Sequence, residues 1–444
     1  MSGECITVIG AGLAGCEAAW QIAERGISVN LVEMKPNKKS AAHKSDMFAE
    51  LVCSNSLKAN RVNSAAGLLK QEMRNLSSLL LVVADLCSVP AGGALSVDRN
   101  KFSELVTERV SDHPLINIIH EEVSELPDDG IVVVATGPLT SDSLSEHIEK
   151  RYSSEHLSFY DAAAPIVTAE SIDMSCAFFA SRYGKGEQTD YINCPMNKEE
   201  YERFYSALIS AERAKLHGVD LQPNVYEGCM PVEIMAMRGE NTLRFGPMKP
   251  VGLVNPQTGH RPWANLQLRK ESVAAELYNL VGFQTNLKFG EQKRVFGLIP
   301  ALRNAEYARY GVMHRNTFIN SPKLLSADFS VRSEPRIFFA GQITGVEGYM
   351  ESAGSGILAG INAAMRYRGR ESLVFERDTM LGALSAYISD SYTENFQPMG
   401  ANFGILPPIE PKIRDKQERY AAVAERALRS QERTIQERSL IVSE

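Results

Sequence analysis

The sequence predicts an α/β fold in which a parallel-sheet domain is made of two separated parts of the chain, with an α+β domain inserted between them. Three observations predict it. A strand enters a glycine-rich turn near the N-terminus, a second strand does so at Gly341, and the strand–helix alternation is lost from about residue 160 to residue 304. Interrupted alternation is typical of an insertion. The predicted domains are residues 1–160, 161–324 and 325–444.

The first glycine-rich turn follows a buried strand at residues 6–9 and has the G-x-G-x-x-G spacing of a dinucleotide site. Its glycines permit a tight turn, close approach of the backbone to a pyrophosphate, and close packing of helix on strand. A second strand at residues 28–33 ends in Glu33, where a ribose-binding carboxylate is expected. The residues of the turn are Gly10, Ala11, Gly12, Leu13, Ala14 and Gly15.

Two later strand ends extend the predicted cofactor site. The strand at residues 130–134 ends in Ala135, Thr136 and Gly137, and a strand from Arg336 enters a glycine-rich stretch before a helix expected at residues 357–367. Two glycine turns with this strand between them favour one FAD held by both parts of a Rossmann-like, discontinuous FAD-binding domain. The second turn contributes Gly341, Gln342, Glu347, Gly348 and Tyr349.

Composition limits the class of protein. The chain has 444 residues, a net charge of -7 and seven scattered cysteines. Its longest apolar run is far shorter than the roughly 20 residues of a membrane span, and the first strand begins too early for a signal peptide. These features predict a cytoplasmic protein with free thiols, no metal site and no membrane segment. Any RNA must bind through local basic patches.

Two cysteines stand in unusual surroundings. Cys53 lies among small polar residues, and Cys229 lies between Gly228 and a Met-Pro pair, so neither has an evident packing role. Both are candidates for reactive thiols, although most cysteines are structural. Weaker candidates are two cations in a breaker-rich loop and a histidine beside an arginine in a polar turn, namely Arg244, Lys249, His314 and Arg315.

Apolar spacing also predicts four helices outside the two glycine turns. The last of them has an apolar stripe that includes Ala424 and Ala427, and we expect it to dock on the domain or on RNA. The predicted ranges are residues 65–86, 98–110, 196–216 and 411–439.

Ten stretches of the sequence together resemble the folate- and FAD-dependent tRNA uracil-5-methyltransferases of the TrmFO type. These proteins are relatives of the larger MnmG (GidA) flavoproteins, which have histidine at the position of Leu13 and a further helical domain. The stretches are GAGLAGCEAA at 10–19, AELVCSNSL at 49–57, VPAGGAL at 89–95, ATGPLT at 135–140, YDAAAPIV at 160–167, NCPM at 193–196, FGPMKPVGL at 245–253, VGFQTNLK at 281–288, YGVMHRNT at 310–317 and GVEGYMESA at 345–353.

The resemblance implies methylation at C5 of a uridine in the TΨC loop of tRNA (m5U54). It implies 5,10-methylenetetrahydrofolate as carbon donor and FAD with NADH or NADPH as reductant. The family's two functional cysteines match Cys53 and Cys229, which we interpret as the nucleophile at uracil C6 and the base that removes the C5 proton; the roles could be exchanged. The resemblance also suggests that Arg244 and Lys249 contact folate glutamate or RNA phosphate. A monomer or weak homo-oligomer is expected.

Three alternatives remain at this level. The same chemistry could act on a uridine of 23S rRNA. The chain could instead be a flavin oxidoreductase for a small molecule, or a non-catalytic RNA-binding flavoprotein. In addition, His314 and Arg315 could line either the flavin site or the uracil pocket.

Overall fold

The computed structural model describes residues 5–40, 42–152, 156–184, 189–214, 230–271, 276–393 and 396–440. The strands are β1 Cys5–Ile9, β2 Ser28–Glu33, β3 Ser56–Ala59, β4 Ser88–Val89, β5 Ala94–Val97, β6 Ile116–His120, β7 Val132–Val134, β8 His156–Ala162, β9 Ile166–Thr168, β10 Phe178–Phe179, β11 Tyr191–Met196, β12 Ala264–Lys270, β13 Leu277–Leu280, β14 Tyr307–Arg309, β15 Met313–Ile319, β16 Ser330–Val331 and β17 Glu334–Phe339.

The α-helices lie between and after these strands. They are α1 Leu13–Ala23, α2 Ala65–Arg74, α3 Leu79–Leu86, α4 Arg99–Ser111, α5 Asp142–Tyr152, α6 Lys198–Ile209, α7 Val232–Met237, α8 Thr242–Phe245, α9 Phe289–Phe296, α10 Ser321–Leu324, α11 Tyr349–Tyr367, α12 Met380–Ser389 and α13 Lys416–Arg438.

The first sheet has six strands in the order β16-β17-β7-β1-β2-β6. All neighbouring strands are parallel except β16 and β17, which pair antiparallel at one edge. Apolar side chains such as Ile6, Val8 and Val133 are fully buried, as expected for a parallel sheet covered on both faces. The strand predicted at residues 28–33 is β2, and the predicted fold class is confirmed.

Helices α1 and α11 pack closely on each other through glycines. A Cβ atom on Gly356 would lie 2.2 Å from the Ala14 carbonyl oxygen, and one on Gly360 would lie 2.7 Å from that of Ala18. The prediction that a glycine-rich loop continues to Gly356 was therefore wrong, because α11 already begins at Tyr349. Gly356 and Gly360 lie inside the helix, where the absence of a side chain permits close contact with α1.

The second sheet is antiparallel throughout, in the order β10-β11-β12-β13-β9-β14. It has its own core, which runs along the chain from Val167 to Ala305 and includes Phe204, Phe283 and Phe296. Strands β8 and β15 pair antiparallel where the chain enters and leaves this part. Ala305 belongs to the second core and Phe318 to the first, so the chain passes back from the second core to the first between these two residues. The domain borders themselves stay predictions.

The single helix predicted at residues 65–86 was wrong. The chain forms α2 and α3 instead, with Ser77 in the left-handed region at φ 58° between them. The second helix begins after its N-cap Ser78, whose hydroxyl oxygen accepts the Leu81 N–H at 3.3 Å. The buried carboxylate of Glu17 accepts the Ser78 hydroxyl and the backbone N–H groups of Leu79 and Leu80. A local cap and a distant carboxylate together satisfy the N–H groups of the first turn of α3.

The helix predicted at residues 196–216 is shorter in the structure. Met196 ends β11, and α6 begins at Lys198 after a capping box between Asn197 and Glu200. The helix ends at Ile209.

The C-terminal helix docks on the first domain. In α13 the buried side chains include Val423, Ala424 and Ala427, and the Gln431 amide donates to the Glu72 carbonyl oxygen of α2 at 2.8 Å. Within the described part of the chain, no helix has the length and apolar content needed to cross a membrane.

Candidate active site

A cleft opens at the carboxyl ends of β1, β2, β7 and β17, where parallel α/β sheets bind their ligands. Both glycine turns contribute to its wall, which brings the two parts of the split domain together. The predicted cofactor residues that line it are Gly10, Gly12, Leu13, Ala14, Glu33, Ala135, Thr136, Gly137, Gly341, Gln342 and Tyr349.

Four predicted cofactor residues do not line the cleft but support its wall. The Ala11 N–H donates to Glu33, Gly15 packs under the turn, and the Glu347 carboxylate accepts the side-chain amide of Gln342. Gly348 precedes α11 as its N-cap. Sequence reasoning missed several polar lining residues, because their separate loops meet only in the fold. These are Lys35, His43, Glu50, Glu121, Glu122, Thr140, Ser141 and Ser352.

The first glycine turn has the geometry of a pyrophosphate site. Gly10 has φ +98°, and a Cβ atom there would lie 2.7 Å from the Ala135 carbonyl oxygen. Gly12 is the N-cap of α1 with no side-chain cap, and a Cβ there would meet no atom within 4 Å. Uncapped N–H groups at the positive end of a helix favour a bound anion. The cleft therefore fits the phosphates of a dinucleotide.

Glu33 lies at the end of β2 beside this turn. One carboxylate oxygen accepts the Ala11 N–H at 2.7 Å, and the other accepts the Lys35 N–H at 2.9 Å. Each carboxylate oxygen has a second lone pair that can accept from a ribose hydroxyl. The two backbone contacts hold the side chain in place at the cleft wall.

Tyr349 joins the cleft to the Cys53 loop, which we define as residues 52–55. Its side chain lines the cleft, and its hydroxyl oxygen accepts the backbone N–H groups of Cys53 and Ser54. Burial raises the pKa of Tyr349 above its usual value, so the hydroxyl stays neutral. Cys53 itself is half-buried, with its Sγ 3.8 Å from the Ala162 carbonyl oxygen.

Two arginines of the second sheet hold the same loop from the other side. Arg309 donates to the carbonyl oxygens of Val52 at 3.0 Å and Cys53 at 2.8 Å. Arg269 donates to the Ser54 hydroxyl at 2.7 Å and to the Asn55 side-chain oxygen at 3.1 Å. The loop that carries the candidate thiol is thus fixed between the two parts of the molecule.

Other described cysteines have the features of structural thiols. Cys16 and Cys194 are fully buried, and desolvation raises the pKa of each above its usual value. Burial also raises the pKa of Cys87 to about 11. These three thiols are poor candidates for a thiolate nucleophile. Cys229, the second predicted reactive cysteine, lies outside the described residues.

The weaker candidates lie on two segments of the chain, one in and after α8 and one on β15. Arg244 is stacked over Trp263, with its guanidinium carbon 3.7 Å from the ring centroid, and it donates to the Trp263 carbonyl oxygen at 2.9 Å. Lys249 is half-buried four residues after α8. The polar turn predicted at His314 and Arg315 was wrong, because both residues lie on β15, where their backbones pair with Asp161 and Tyr160 of β8. Their side chains lie outside the described part. No sequence pattern had singled out Trp263.

Sequence comparison finds similar proteins over nearly the whole chain. The family described as glucose-inhibited division protein A matches residues 5–371. A methylenetetrahydrofolate–tRNA-(uracil-5-)-methyltransferase TrmFO of Acetivibrio thermocellus is 61% identical over 424 residues, 96% of this chain and 97% of that protein. The protein of the same name from Pelotomaculum thermopropionicum is 58% identical over 433 residues, 98% and 99% of the two chains.

A solved structure has the same fold at low sequence identity. GidA of Aquifex aeolicus superposes with a TM-score of 0.70 at 17% identity, covering 97% of this chain and 76% of that one. The likeness extends over both sheets of the present structure.

Proposed function

The chain belongs to the family of glucose-inhibited division protein A and, within it, to the TrmFO methyltransferases, and from this we propose that it methylates C5 of a uridine in the TΨC loop of tRNA (m5U54). The carbon donor is 5,10-methylenetetrahydrofolate, and the reductant is FAD with NADH or NADPH. The observation that carries the proposal is the identity of 58–61% with TrmFO proteins over nearly the full length.

The chemistry accounts for a thiol beside the cleft. Uracil C5 is a weak nucleophile, so a thiolate first adds to C6 and turns the ring into an enolate. C5 then attacks the one-carbon unit, and a base removes the C5 proton as the bond from that carbon to its carrier nitrogen breaks. The C6–S bond breaks when a hydride converts the resulting methylene to a methyl group. We assign the addition to Cys53 and the proton removal to Cys229, with the exchanged assignment as the other candidate. When bound and reduced by NADH or NADPH, FAD would supply the hydride that converts the methylene to a methyl group.

The cleft residues have separate tasks in holding FAD. We assign the pyrophosphate to Gly12 and the N-terminus of α1, and a ribose to Glu33. Gly341 and Tyr349 belong to the flavin half, next to the Cys53 loop. This order along the cleft brings the reacting end of the cofactor toward the thiol.

RNA and folate need contacts outside the cleft. A uridine of the TΨC loop must leave its stack to reach Cys53, which requires an open surface beside the cleft. Arg244 and Lys249 are candidates for contacts to RNA phosphate or folate glutamate, and His314 and Arg315 for the lining of the flavin or uracil pocket. We further propose that the enzyme works in the cytoplasm as a monomer or weak homo-oligomer.

The test measures 5-methyluridine after incubating the purified enzyme, methylenetetrahydrofolate and NADH or NADPH with undermodified tRNA or with 23S rRNA. We expect product in tRNA alone. Product in rRNA alone contradicts the tRNA target, and RNA-independent oxidation of the nicotinamide without product favours a small-molecule oxidoreductase. Cys53→Ala should abolish methylation and retain FAD, whereas Cys176→Ala, at another half-buried cysteine, should leave the rate unchanged.

A further inference from the structure

Three arginines and one carboxylate lie together behind the Cys53 loop, where the two sheets meet. They are Arg99 of α4, Arg269 of β12, Arg309 of β14 and Glu271 directly after β12. We propose that this group, called here the arginine cluster, keeps Cys53 as a thiolate before substrate binds. The proposal deepens the function proposed above, since it assigns positioning residues to the nucleophile of that reaction.

Geometry connects the cluster to the thiol. Arg309 and Arg269 donate to four consecutive residues of the loop, from the Val52 carbonyl oxygen to the Asn55 side chain. Arg309 donates to the carbonyl oxygen of Cys53 itself, at 2.8 Å. A charge held so close to the backbone of a cysteine acts on its sulfur through a medium that screens poorly.

The charges of the cluster do not balance. Glu271 forms an ion pair with Arg99, with 2.8 Å between Nη2 and Oε2. One carboxylate offsets one guanidinium, and arginine stays protonated in proteins. Arg269, with 7% of its surface exposed, and Arg309 thus leave about two positive charges beside the loop. Buried charge of one sign is costly unless an opposite charge is near.

Donor groups of the arginine cluster also indicate an anion near the loop. The Nε atoms of Arg99 and Arg309 are buried and have no hydrogen-bond partner among the described residues. Unused donors on buried cations favour a nearby anion. A thiolate at Cys53 supplies a negative charge without adding a carboxylate to the site.

The other titratable groups facing these arginines do not cancel the effect. Tyr349 of α11 and Tyr191 of β11 are neutral, because burial raises the pKa of each. Asp190, beside Tyr191, accepts the Gly92 N–H at 2.8 Å. In the described part of the chain, Glu271 is thus the carboxylate that faces Arg269 and Arg309.

The test follows the alkylation of Cys53 by iodoacetamide as a function of pH, in the FAD-loaded protein without RNA or folate. Mass spectrometry of the Cys53 peptide gives the midpoint. An ordinary thiol has a pKa of about 8.5. We expect a midpoint at least about one pH unit lower, which is roughly tenfold more thiolate at neutral pH.

Two variants should move the midpoint in opposite directions. Arg309→Gln removes a positive charge and should raise it by about one unit. Glu271→Gln removes the negative charge and should lower it. A general loosening of the loop cannot produce opposite shifts. Arg336→Gln is the matched control, since Arg336 also donates to backbone carbonyl oxygens, those of Pro127, Asp129 and Gly130, in another part of the fold.

An ordinary midpoint in the unchanged protein, or shifts of the same sign in the two variants, would overturn the proposal. If Arg309→Gln does not fold, Arg309→Lys replaces it; this variant keeps the charge and should keep the midpoint. The direction of the shift in Glu271→Gln then decides whether the proposal holds. The measurement needs no methyl transfer. A low midpoint in a protein that makes no 5-methyluridine refutes the proposed function and leaves the arginine cluster intact.

Discussion

The hydroxyl oxygen of Tyr349 lies 2.7 Å from the backbone nitrogen of Cys53, although the two residues are 296 positions apart in the chain. The same oxygen accepts the Ser54 N–H at 3.1 Å. One side chain at the start of α11 thus fixes both the wall of the cleft and the loop with the candidate nucleophile.

Tyr349→Phe should therefore affect both stability and rate. The change leaves two backbone N–H groups without their acceptor, and each buried unsatisfied donor costs about 1–3 kcal/mol. We expect a lower free energy of unfolding in urea and slower 5-methyluridine formation. Tyr387→Phe removes a hydroxyl that donates to the Gln397 carbonyl oxygen at an exposed site, and it should change neither quantity. Equal behaviour of the two variants would contradict the role of Tyr349.

Gly356→Ala should destabilise the protein and weaken FAD binding. The added methyl would lie 2.2 Å from the Ala14 carbonyl oxygen and force α11 away from α1, whose first turn forms the pyrophosphate site. Overpacking of this kind costs about 1–3 kcal/mol. Gly290→Ala in α9 is the control, because a Cβ there meets no atom within 4 Å. That change should raise the free energy of unfolding slightly, since alanine is more favourable than glycine in a helix by up to about 1 kcal/mol. Urea unfolding and flavin titration measure both effects.

Glu72 should make stability depend on pH. It is fully buried, and desolvation raises its pKa to about 8 while its carboxylate accepts the Met380 and Leu381 N–H groups. Its pKa is higher in the folded than in the unfolded state, so the folded state binds more protons between about pH 4.5 and pH 8. The stability contributed by its protonated form is full below the unfolded pKa and is lost as pH rises through that window.

Glu72→Gln should reduce this loss, because a neutral amide does not titrate. The free energy of unfolding of the variant, relative to the unchanged protein, should rise steadily from pH 5 to pH 8. Glu371→Gln, at an exposed glutamate of a surface ion pair, should leave the slope unchanged. A slope that is the same with and without Glu72 would show that the group does not titrate in this range.

Arg244 and Trp263 should contribute to RNA affinity. The guanidinium stacks on the indole at 3.7 Å, and Phe245 beside them is 82% exposed. Aromatic stacking on an unpaired base contributes about 1–3 kcal/mol, and a phosphate contact adds about one to the salt slope of binding. Trp263→Ala should weaken tRNA binding about tenfold or more, and Arg244→Gln should also lower the salt slope.

Binding assays at several salt concentrations measure both effects. Arg429→Gln is a suitable control, because Arg429 is an exposed cation of α13, paired with Glu425. If all three variants bind tRNA like the unchanged protein, the RNA contacts lie elsewhere on the surface.

The sequence by itself determined the strands and turns that depend on neighbouring residues. The run before Gly10, the position of Glu33 and the helix after Asp98 follow from apolar spacing, glycine geometry and a local cap. These signals act within a few residues of the chain. They also sufficed to predict the two-part domain.

Only the tertiary structure decided which distant residues complete each local element. Glu17 of α1 accepts two N–H groups of the first turn of α3, and Gly356 and Gly360 lie where α11 contacts α1. The same holds for the thiol: the sequence singled out Cys53, but Tyr349 and the arginine cluster reach it from other elements. Spacing along the chain carries no record of such contacts, because packing between sheets and helices creates them.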